Sequence, residues 1–144
     1  MGLLSFKDFE INKEFDFGSI SLSEQEIIDF ANNYDPLDYH TNLEVANKSF
    51  FKGLVASGPH PFSVFYKTKW VPLFKDTVLG GLEVTYKFLK PVYVNQKVFC
   101  KAKIVDIKIN QEKKYATVKW SFELTNEKEE LYQTIDMIVL HNTI

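Results

Sequence analysis

An acid and an imidazole stand close together in one segment of the chain. Asp35 precedes His40 by five residues, and Gly58 follows the histidine after eighteen more. A carboxylate and an imidazole can hold a water molecule and exchange its protons with a substrate. A backbone N–H at the start of a helix can donate to negative charge that develops on an oxygen atom. Asp35, His40 and Gly58 are therefore the candidate catalytic residues.

Taken singly, each of these residues also has a purely structural interpretation. Asp35 stands before Pro36, and an aspartate in that position commonly ends a helix. A lone histidine such as His40 is more often a core or surface residue than a catalyst. Gly58 followed by Pro59 is also a common way to begin a helix.

Three neighbouring residues are candidate substrate-binding residues: Tyr39, Ser57 and His60. Ser57 is suited either to a hydrogen bond near a bound substrate or to capping the helix that follows. His60 is suited either to the mouth of a pocket or to a polar place in the first helical turn. The sequence leaves both alternatives open.

A helix is predicted directly before the acid. Ser23 and Glu26 form a capping box, and apolar residues then recur on one helical face at Ile27, Ile28, Ala31 and Tyr34. The helix should have about three turns. It should end near Asn32 to Asp35, because the residue before a proline is disfavoured in helical conformation.

A long excursion and a second helix follow. The stretch from Pro36 to Ala56 has no sustained period, and ordered loops of that length are usually functional. The second helix is predicted to open at Gly58, with Pro59 at its first position, and to stop at Pro72. Its apolar stripe consists of Phe62, Phe65, Tyr66 and Trp70.

The rest of the chain alternates with period two, which is typical of strands. Four long strands are predicted around Leu82–Phe88, Val98–Ile104, Ala116–Leu124 and Leu131–Val139, after a short strand near Phe15–Phe17. The short polar breaks between the long strands favour antiparallel pairing. An antiparallel sheet curled around the apolar helix, the α+β hot-dog arrangement, buries both apolar faces. Its open edge strand predicts a homodimer, or a dimer of dimers.

Three stretches carry a resemblance to a known family. Tyr34–His40 and Ala56–His60 resemble the signature of MaoC-like proteins and (R)-specific enoyl-CoA hydratases, in which an Asp precedes a His by five residues and a small–Gly pair opens the central helix. Phe88–Val92 resembles the strand ending in Pro-Val of the acyl dehydratase branch. The similarity runs from Ser19 to the last strand. Finding the three candidate residues in the family's order favours their catalytic interpretation.

The resemblance implies one MaoC-like hot-dog domain over residues 1–144. It also implies a hydro-lyase that adds or removes water across the C2–C3 bond of an acyl thioester of coenzyme A or acyl carrier protein. Asp35 and His40 would hold and activate the water, and the Gly58 N–H would face the thioester oxygen.

One departure from the signature leaves alternatives open. The family has an amide side chain two residues after the Asp and then a proline, whereas this chain has Leu37 and Asp38. That departure favours a non-catalytic module that binds acyl thioesters. A hot-dog thioesterase, which would direct water at the carbonyl, is the other alternative, although the Asp–His spacing favours the lyase.

The composition narrows the classes of partner. A net charge of −2 predicts no nucleic-acid partner, and the single cysteine, Cys100, excludes an intrachain disulfide and fits a reducing compartment. Residues 1–10 contain no basic stretch followed by a long apolar run, so a cytoplasmic protein with no membrane partner is expected. No metal-ligand spacing or Gly-rich loop is present, and no cofactor is expected beyond the carrier thioester.

Overall fold

A five-stranded antiparallel sheet curls around one helix in the computed structural model of the protein, which describes residues 3–144. The strands are β1 (Glu14–Ser21), β2 (Val78–Phe88), β3 (Lys97–Asn110), β4 (Tyr115–Thr125) and β5 (Leu131–Asn142). Their order in the sheet is β1-β3-β4-β5-β2. The predicted α+β hot-dog fold is confirmed. Met1 and Gly2, which belong to the predicted domain, lie outside the described residues.

A 3₁₀ turn at Phe6–Asp8 precedes β1, and the other helices lie between β1 and β2. They are α1 (Glu24–Tyr34), α2 (Asp38–Thr41), α3 (Leu43–Asn47), α4 (His60–Phe65), a π-helical segment (Tyr66–Trp70) and α5 (Val71–Phe74). The last three follow one another without a break and form the central helix, residues 60–74. Within residues 3–144, no helix has both the length and the apolar character that crossing a bilayer requires.

The capping box of α1 is present as predicted. The Glu26 N–H donates to Ser23 Oγ and the Ser23 N–H donates to Glu26 Oε1, both at 3.1 Å. The helix ends at Tyr34, and Asp35 is its C-cap with the N–H bonded to the Ala31 carbonyl. The predicted end of the helix is therefore confirmed.

The predicted bounds of the central helix are wrong at both ends. The helix begins at His60, two residues after Gly58, because Pro59 is the N-cap. It also continues past Pro72 to Phe74. A π turn, closed by the bond from the Val71 N–H to the Tyr66 carbonyl, comes directly before this proline. Pro72 thereby falls in the first turn of a new α-helical segment, where a missing N–H costs nothing.

The stretch from Pro36 to Ala56 is more regular than its sequence indicated. It contains the two short helices α2 and α3, and the Asn42 side chain caps α3 by accepting from the Val45 N–H at 3.0 Å. The end of the stretch is tied to the chain after β2 through a bridge between Val55 and Tyr93. Each helix has only four or five residues, which is too short to show a period in the sequence.

The core lies between the central helix and the inner face of β3, β4 and β5, whose alternate residues are buried as predicted. Phe62, Phe65 and Trp70 of the predicted stripe are buried, but Tyr66 is 36% exposed. The Tyr66 ring stacks on the buried Trp70, with ring centroids 5.2 Å apart, and is not itself enclosed. Most of the predicted stripe is therefore core.

Strand β2 lies at an edge of the sheet and keeps much of its apolar surface exposed. Leu82, Val84 and Phe88, which alternate in the sequence as a buried face would, are 57%, 47% and 55% exposed. The strand pairs with β5 along one side, and no strand among residues 3–144 pairs with its other side. One chain alone therefore leaves this face without a cover.

A buried histidine occupies the aromatic end of the core, which we define by Phe15, Trp70, Phe74, Trp120 and His141. His141 is fully buried, and both of its ring nitrogens are hydrogen-bonded. Nε2 accepts from Trp120 Nε1–H at 3.1 Å, and Nδ1 lies 2.7 Å from Thr77 Oγ1. Burial lowers the pKa of His141 to about 4, so the ring is neutral near pH 7.

Candidate active site

A cleft of about 490 Å³ opens beside the start of the central helix, and it brings four of the six candidate residues together. Asp35, Tyr39, His40 and Gly58 all line it. The opposite wall comes from the end of β2, the residues that follow it and the start of β5. The cleft therefore lies where the stretch after α1 meets the edge of the sheet.

The aspartate has both a structural and a chemical position. Its backbone ends α1, as the structural interpretation required, while its side chain faces the cleft and is 33% exposed. The buried Ser57 hydroxyl donates to Asp35 Oδ2 at 2.6 Å. This bond spans 22 residues of sequence and fixes the direction of the carboxylate.

The histidine is buried and presents one nitrogen to the carboxylate. His40 is 5% exposed, and its Nδ1 lies 2.7 Å from the Val55 carbonyl oxygen. A carbonyl oxygen can only accept, so in the neutral ring Nδ1 carries the proton and Nε2 is the free acceptor. Nε2 lies 3.4 Å from Asp35 Oδ2. Two basic atoms therefore face the cleft side by side, an arrangement able to take and return a proton.

Gly58 provides the third candidate group. Its N–H has no hydrogen-bond acceptor among residues 3–144. Because the helix begins two residues later, this N–H belongs to the turn before the helix rather than to its first turn. The Phe88 ring packs so closely on Gly58 that a Cβ added there would lie 2.6 Å from the ring. A side chain at position 58 would therefore displace Phe88.

Gln133 belongs to the site and was missed in the sequence. Its Nε2 donates to the Gly58 carbonyl at 2.7 Å, and its side chain lines the cleft from β5. The signal was present in the alternation of β5, because Gln133 is a polar residue at an inward position, two residues before the buried Ile135 on the same face. A contact that joins residues 75 positions apart could not be deduced from spacing.

The three candidate substrate-binding residues lie in different surroundings. Tyr39 lines the cleft and packs against His40, with ring centroids 4.4 Å apart. Ser57 binds Asp35 and does not cap the helix, whose N-cap is Pro59. His60 is not among the residues that line the cleft. It stacks on Phe30 at 4.2 Å, and burial lowers its pKa.

The chain is similar in sequence to a known family and to one of the curated proteins. The family model of the MaoC like domain matches residues 7–127. The chain belongs to the MaoC-like family. It is also 29% identical over 106 residues to the uncharacterized protein YdeM of Bacillus subtilis, a match that covers 72% of this chain and 74% of YdeM.

Two solved structures illustrate the range of proteins with this MaoC-like fold. A monoamine oxidase regulatory protein from Archaeoglobus is 21% identical, with a TM-score of 0.85 and coverage of 100% of this chain and 97% of that one. The R-hydratase PhaJ1 from Pseudomonas aeruginosa, in its unliganded form, is 17% identical, with a TM-score of 0.78 and coverage of 99% and 88%. At these identities the similarity concerns the fold.

The departure from the MaoC-like signature lies outside the cleft. Leu37 is 49% exposed and Asp38 is also exposed, and neither lines the cleft. The Leu37 carbonyl accepts from the His40 N–H at 2.9 Å, so the backbone at the departure still forms the first turn of α2. Because Asp38 is exposed, its carboxylate faces solvent.

A second, more apolar cleft of about 250 Å³ lies further along the central helix. It is lined by Phe62, Ser63, Tyr66, Val78, Gly81, Val84, Tyr86, Met137 and Val139.

In the part of the chain that the structure describes, no three His, Cys, Asp or Glu side chains are grouped closely enough to hold a metal ion. The chemical groups of this MaoC-like site are thus a carboxylate, an imidazole and amide groups.

Proposed function

We propose that the protein catalyses the reversible addition of water to the C2–C3 double bond of a 2-enoyl thioester, in the manner of (R)-specific hydratases. The observation that carries the proposal is the pair of basic atoms, His40 Nε2 and Asp35 Oδ2, which lie 3.4 Å apart in the same cleft as the free Gly58 N–H. Membership of the MaoC-like family supports it.

The proposed reaction needs one proton to move twice. Asp35 and His40 hold a water molecule and take one of its protons while the water oxygen bonds to C3. The electrons of the double bond move toward the thioester oxygen, where the Gly58 N–H donates to the developing charge. Asp35 and His40 then transfer the same proton to C2. Dehydration of a 3-hydroxyacyl thioester follows these steps in reverse.

The two clefts divide the substrate between them. The carrier leaves through the exposed rim that includes Phe50 and Leu89, and the acyl chain extends toward the apolar cleft along the central helix. Coenzyme A and acyl carrier protein both remain within the proposal as carriers. A cytoplasmic location is part of it, since Cys100 is a buried free thiol that a reducing compartment preserves.

A symmetric homodimer is also part of the proposal. The free side of β2 presents unpaired backbone groups together with the exposed Leu82, Val84 and Phe88. Pairing with a second copy would bury this surface. Light scattering behind a sizing column should give twice the chain mass of 16.8 kDa, or four times that mass for a dimer of dimers. A stable monomer at micromolar concentration would contradict this part.

The second candidate function is a module that binds acyl thioesters without converting them. Leu37 and Asp38 at the departure from the signature favour it, as does the similarity to a protein described as regulatory. Both candidates use the same cleft and differ only in chemistry. Binding alone therefore cannot separate them.

The deciding experiment follows the conjugated enoyl absorbance of short and medium 2-enoyl-CoA thioesters, with calorimetry on the same ligands. A hydratase makes the enoyl absorbance fall at a rate proportional to the enzyme concentration. Asp38→Asn is the matched control, because it removes a nearby carboxylate that does not line the cleft, and it should keep the wild-type rate. Binding without any change of absorbance would overturn the hydratase and establish the module.

A further inference from the structure

One residue that lines the cleft has a buried oxygen atom without a hydrogen-bond partner among residues 3–144. Among residues 3–144, three buried polar side-chain atoms lack one, namely His60 Nδ1, Trp70 Nε1 and Gln133 Oε1. Of these residues, Gln133 lines the cleft with Asp35 and Gly58, whereas the other two do not. Unpaired buried acceptors are rare in folded proteins because they are costly, so this atom calls for an explanation.

The contacts of Gln133 determine which of its two amide atoms is left over. Nε2 donates to the Gly58 carbonyl at 2.7 Å. Turning the amide over would place Oε1 against that carbonyl, and two acceptors repel each other. Oε1 is therefore the amide atom that is left without a donor. Gln133 is 3% exposed, so bulk solvent does not supply that donor.

Gln133 lies where the two clefts approach each other. On β2, Phe88 lines the first cleft and Tyr86, two residues away on the same face, lines the apolar one. On the helical side, Pro59 lines the first cleft and Phe62 the second. Gln133 is the cross-strand partner of Phe88. An acyl chain that runs from the first cleft into the second therefore passes the Gln133 amide.

We propose that Gln133 Oε1 accepts a hydrogen bond from a hydroxyl group on the acyl chain beyond C3, and that the protein thereby selects hydroxylated acyl thioesters. This inference rests on the proposed function, since it uses the same cleft and the same direction of the chain. A plain hydrocarbon chain would enclose Oε1 without a donor, whereas a hydroxyl satisfies it. Sites that hydrogen-bond a substrate hydroxyl discriminate strongly against analogues that lack it.

The first test compares ligands with Gln133 intact. The affinities of trans-2-hexenoyl-CoA and its 4-, 5- and 6-hydroxy derivatives are measured by calorimetry with Asp35→Asn, which slows turnover during the titration. One hydroxy derivative should bind at least about tenfold more tightly than the parent, as expected for pairing a buried acceptor. If none of the three binds more tightly, or if no thioester binds at all, the inference is wrong.

The second test removes the acceptor. Gln133→Met has a similar length and no amide, and in the Asp35→Asn background it should reduce the preference for the hydroxylated ligand to about onefold. Thr134→Val is the matched control, because Thr134 is the next residue of β5 and points to the opposite face; it should keep the preference. A preference that survives Gln133→Met would assign it to another group and overturn the inference.

A donor on the carrier is the other possible source of this hydrogen bond, because the pantetheine arm contains amide N–H groups. The propane-1-thiol ester of the hydroxylated trans-2-hexenoic acid that binds most tightly in the first test has no such amide. Gln133→Met should lower the affinity for this ester and for the CoA ester of the same hydroxy acid by the same factor. If the CoA ester alone is weakened, the carrier amide is the donor and the acyl-chain inference falls. The hydration rate of wild type with trans-2-hexenoyl-CoA tests the proposed function separately.

Discussion

Two buried histidines of this protein differ in what their nitrogens contact. His141, in the aromatic end of the core, has both ring nitrogens bonded to side chains, Thr77 on one side and Trp120 on the other. His40 has one nitrogen bonded to the backbone at Val55, and the other lies 3.4 Å from a partly exposed carboxylate. Burial alone is therefore a poor sign of function. The informative feature is a free nitrogen that lies beside a carboxylate in the cleft.

The same contrast holds for the regions around the two histidines. At the aromatic end, large rings pack in contact, such as Phe74 and Trp120 with centroids 4.7 Å apart. At the cleft, Gly58 and Gln133 present an unpaired donor and an unpaired acceptor. We therefore expect changes at the aromatic end to alter stability, and changes at the cleft to alter chemistry and binding.

The largest stability effect is expected from Phe74→Ala. Phe74 is fully buried among aromatic rings, and truncating such a residue should lower the free energy of unfolding by about 3–5 kcal/mol. Chemical denaturation measures the change. Phe50→Ala at the rim of the cleft, where the ring is 93% exposed, is the control and should change stability by less than about 0.5 kcal/mol. Equal effects of the two truncations would remove the distinction between the regions.

Acid should destabilise the protein through His141. Its pKa in the folded state is about 4, below the ordinary value of 6.5, so the unfolded chain takes up the proton first. The contribution of neutral His141 to the free energy of unfolding is fully present above about pH 6.5. It is lost as the pH falls toward about 4, and the total loss is about 3 kcal/mol.

Denaturation at a series of pH values between 4 and 8 measures this loss. His141→Gln, which cannot titrate, should show a flatter dependence whatever its absolute stability. Part of the slope should remain, because burial also lowers the pKa of His60. A dependence unchanged in His141→Gln would mean that His141 is not the responsible group.

Two tryptophans provide a smaller and more selective comparison. Trp120→Phe removes the donor to His141 Nε2 and leaves that buried acceptor unpaired, at a cost of about 1–3 kcal/mol beyond the loss of volume. Trp70→Phe removes an N–H that has no partner among residues 3–144, so only the volume is lost. Thermal unfolding should therefore rank Trp120→Phe as the less stable variant. The reverse order would contradict the hydrogen-bonded role of His141.

The smallest stability effect is expected from Asp35→Asn. The side chain is one third exposed, and the asparagine oxygen can still accept from the Ser57 hydroxyl. Its free energy of unfolding should stay within about 0.5 kcal/mol of wild type. A large loss would show that Asp35 holds the fold together, and would weaken its assignment to chemistry.

The local features of the sequence predicted the fold well. The Ser23–Glu26 capping box placed α1, and the period of two placed β3, β4 and β5, because these signals depend on near neighbours in the chain. Pro72 predicts the end of the central helix, but the helix continues past it because of a π turn, which has no simple sequence signal. The alternation of β2 likewise indicated a buried face, whereas Leu82, Val84 and Phe88 are exposed. Which face of a strand is covered depends on contacts that are distant in the sequence.

The candidate site was predictable in its central residues and not in its supports. Asp35, His40 and Gly58 follow a spacing that the family shares, and the structure places them in one cleft. The bonds from Ser57 to Asp35 and from Gln133 to Gly58 join residues 22 and 75 positions apart. Only the folded chain reveals such contacts.

The most direct test of the central claim is a double-mutant comparison of the hydration rate. Wild type, Asp35→Asn, His40→Ala and the double variant are compared with a 2-enoyl-CoA thioester by enoyl absorbance. Each single change should lower the rate by about 10²–10⁴, and the double variant should be little slower than either, because the two residues act as one unit. If wild type is active and both single variants keep near-normal rates, Asp35 and His40 do not carry the reaction.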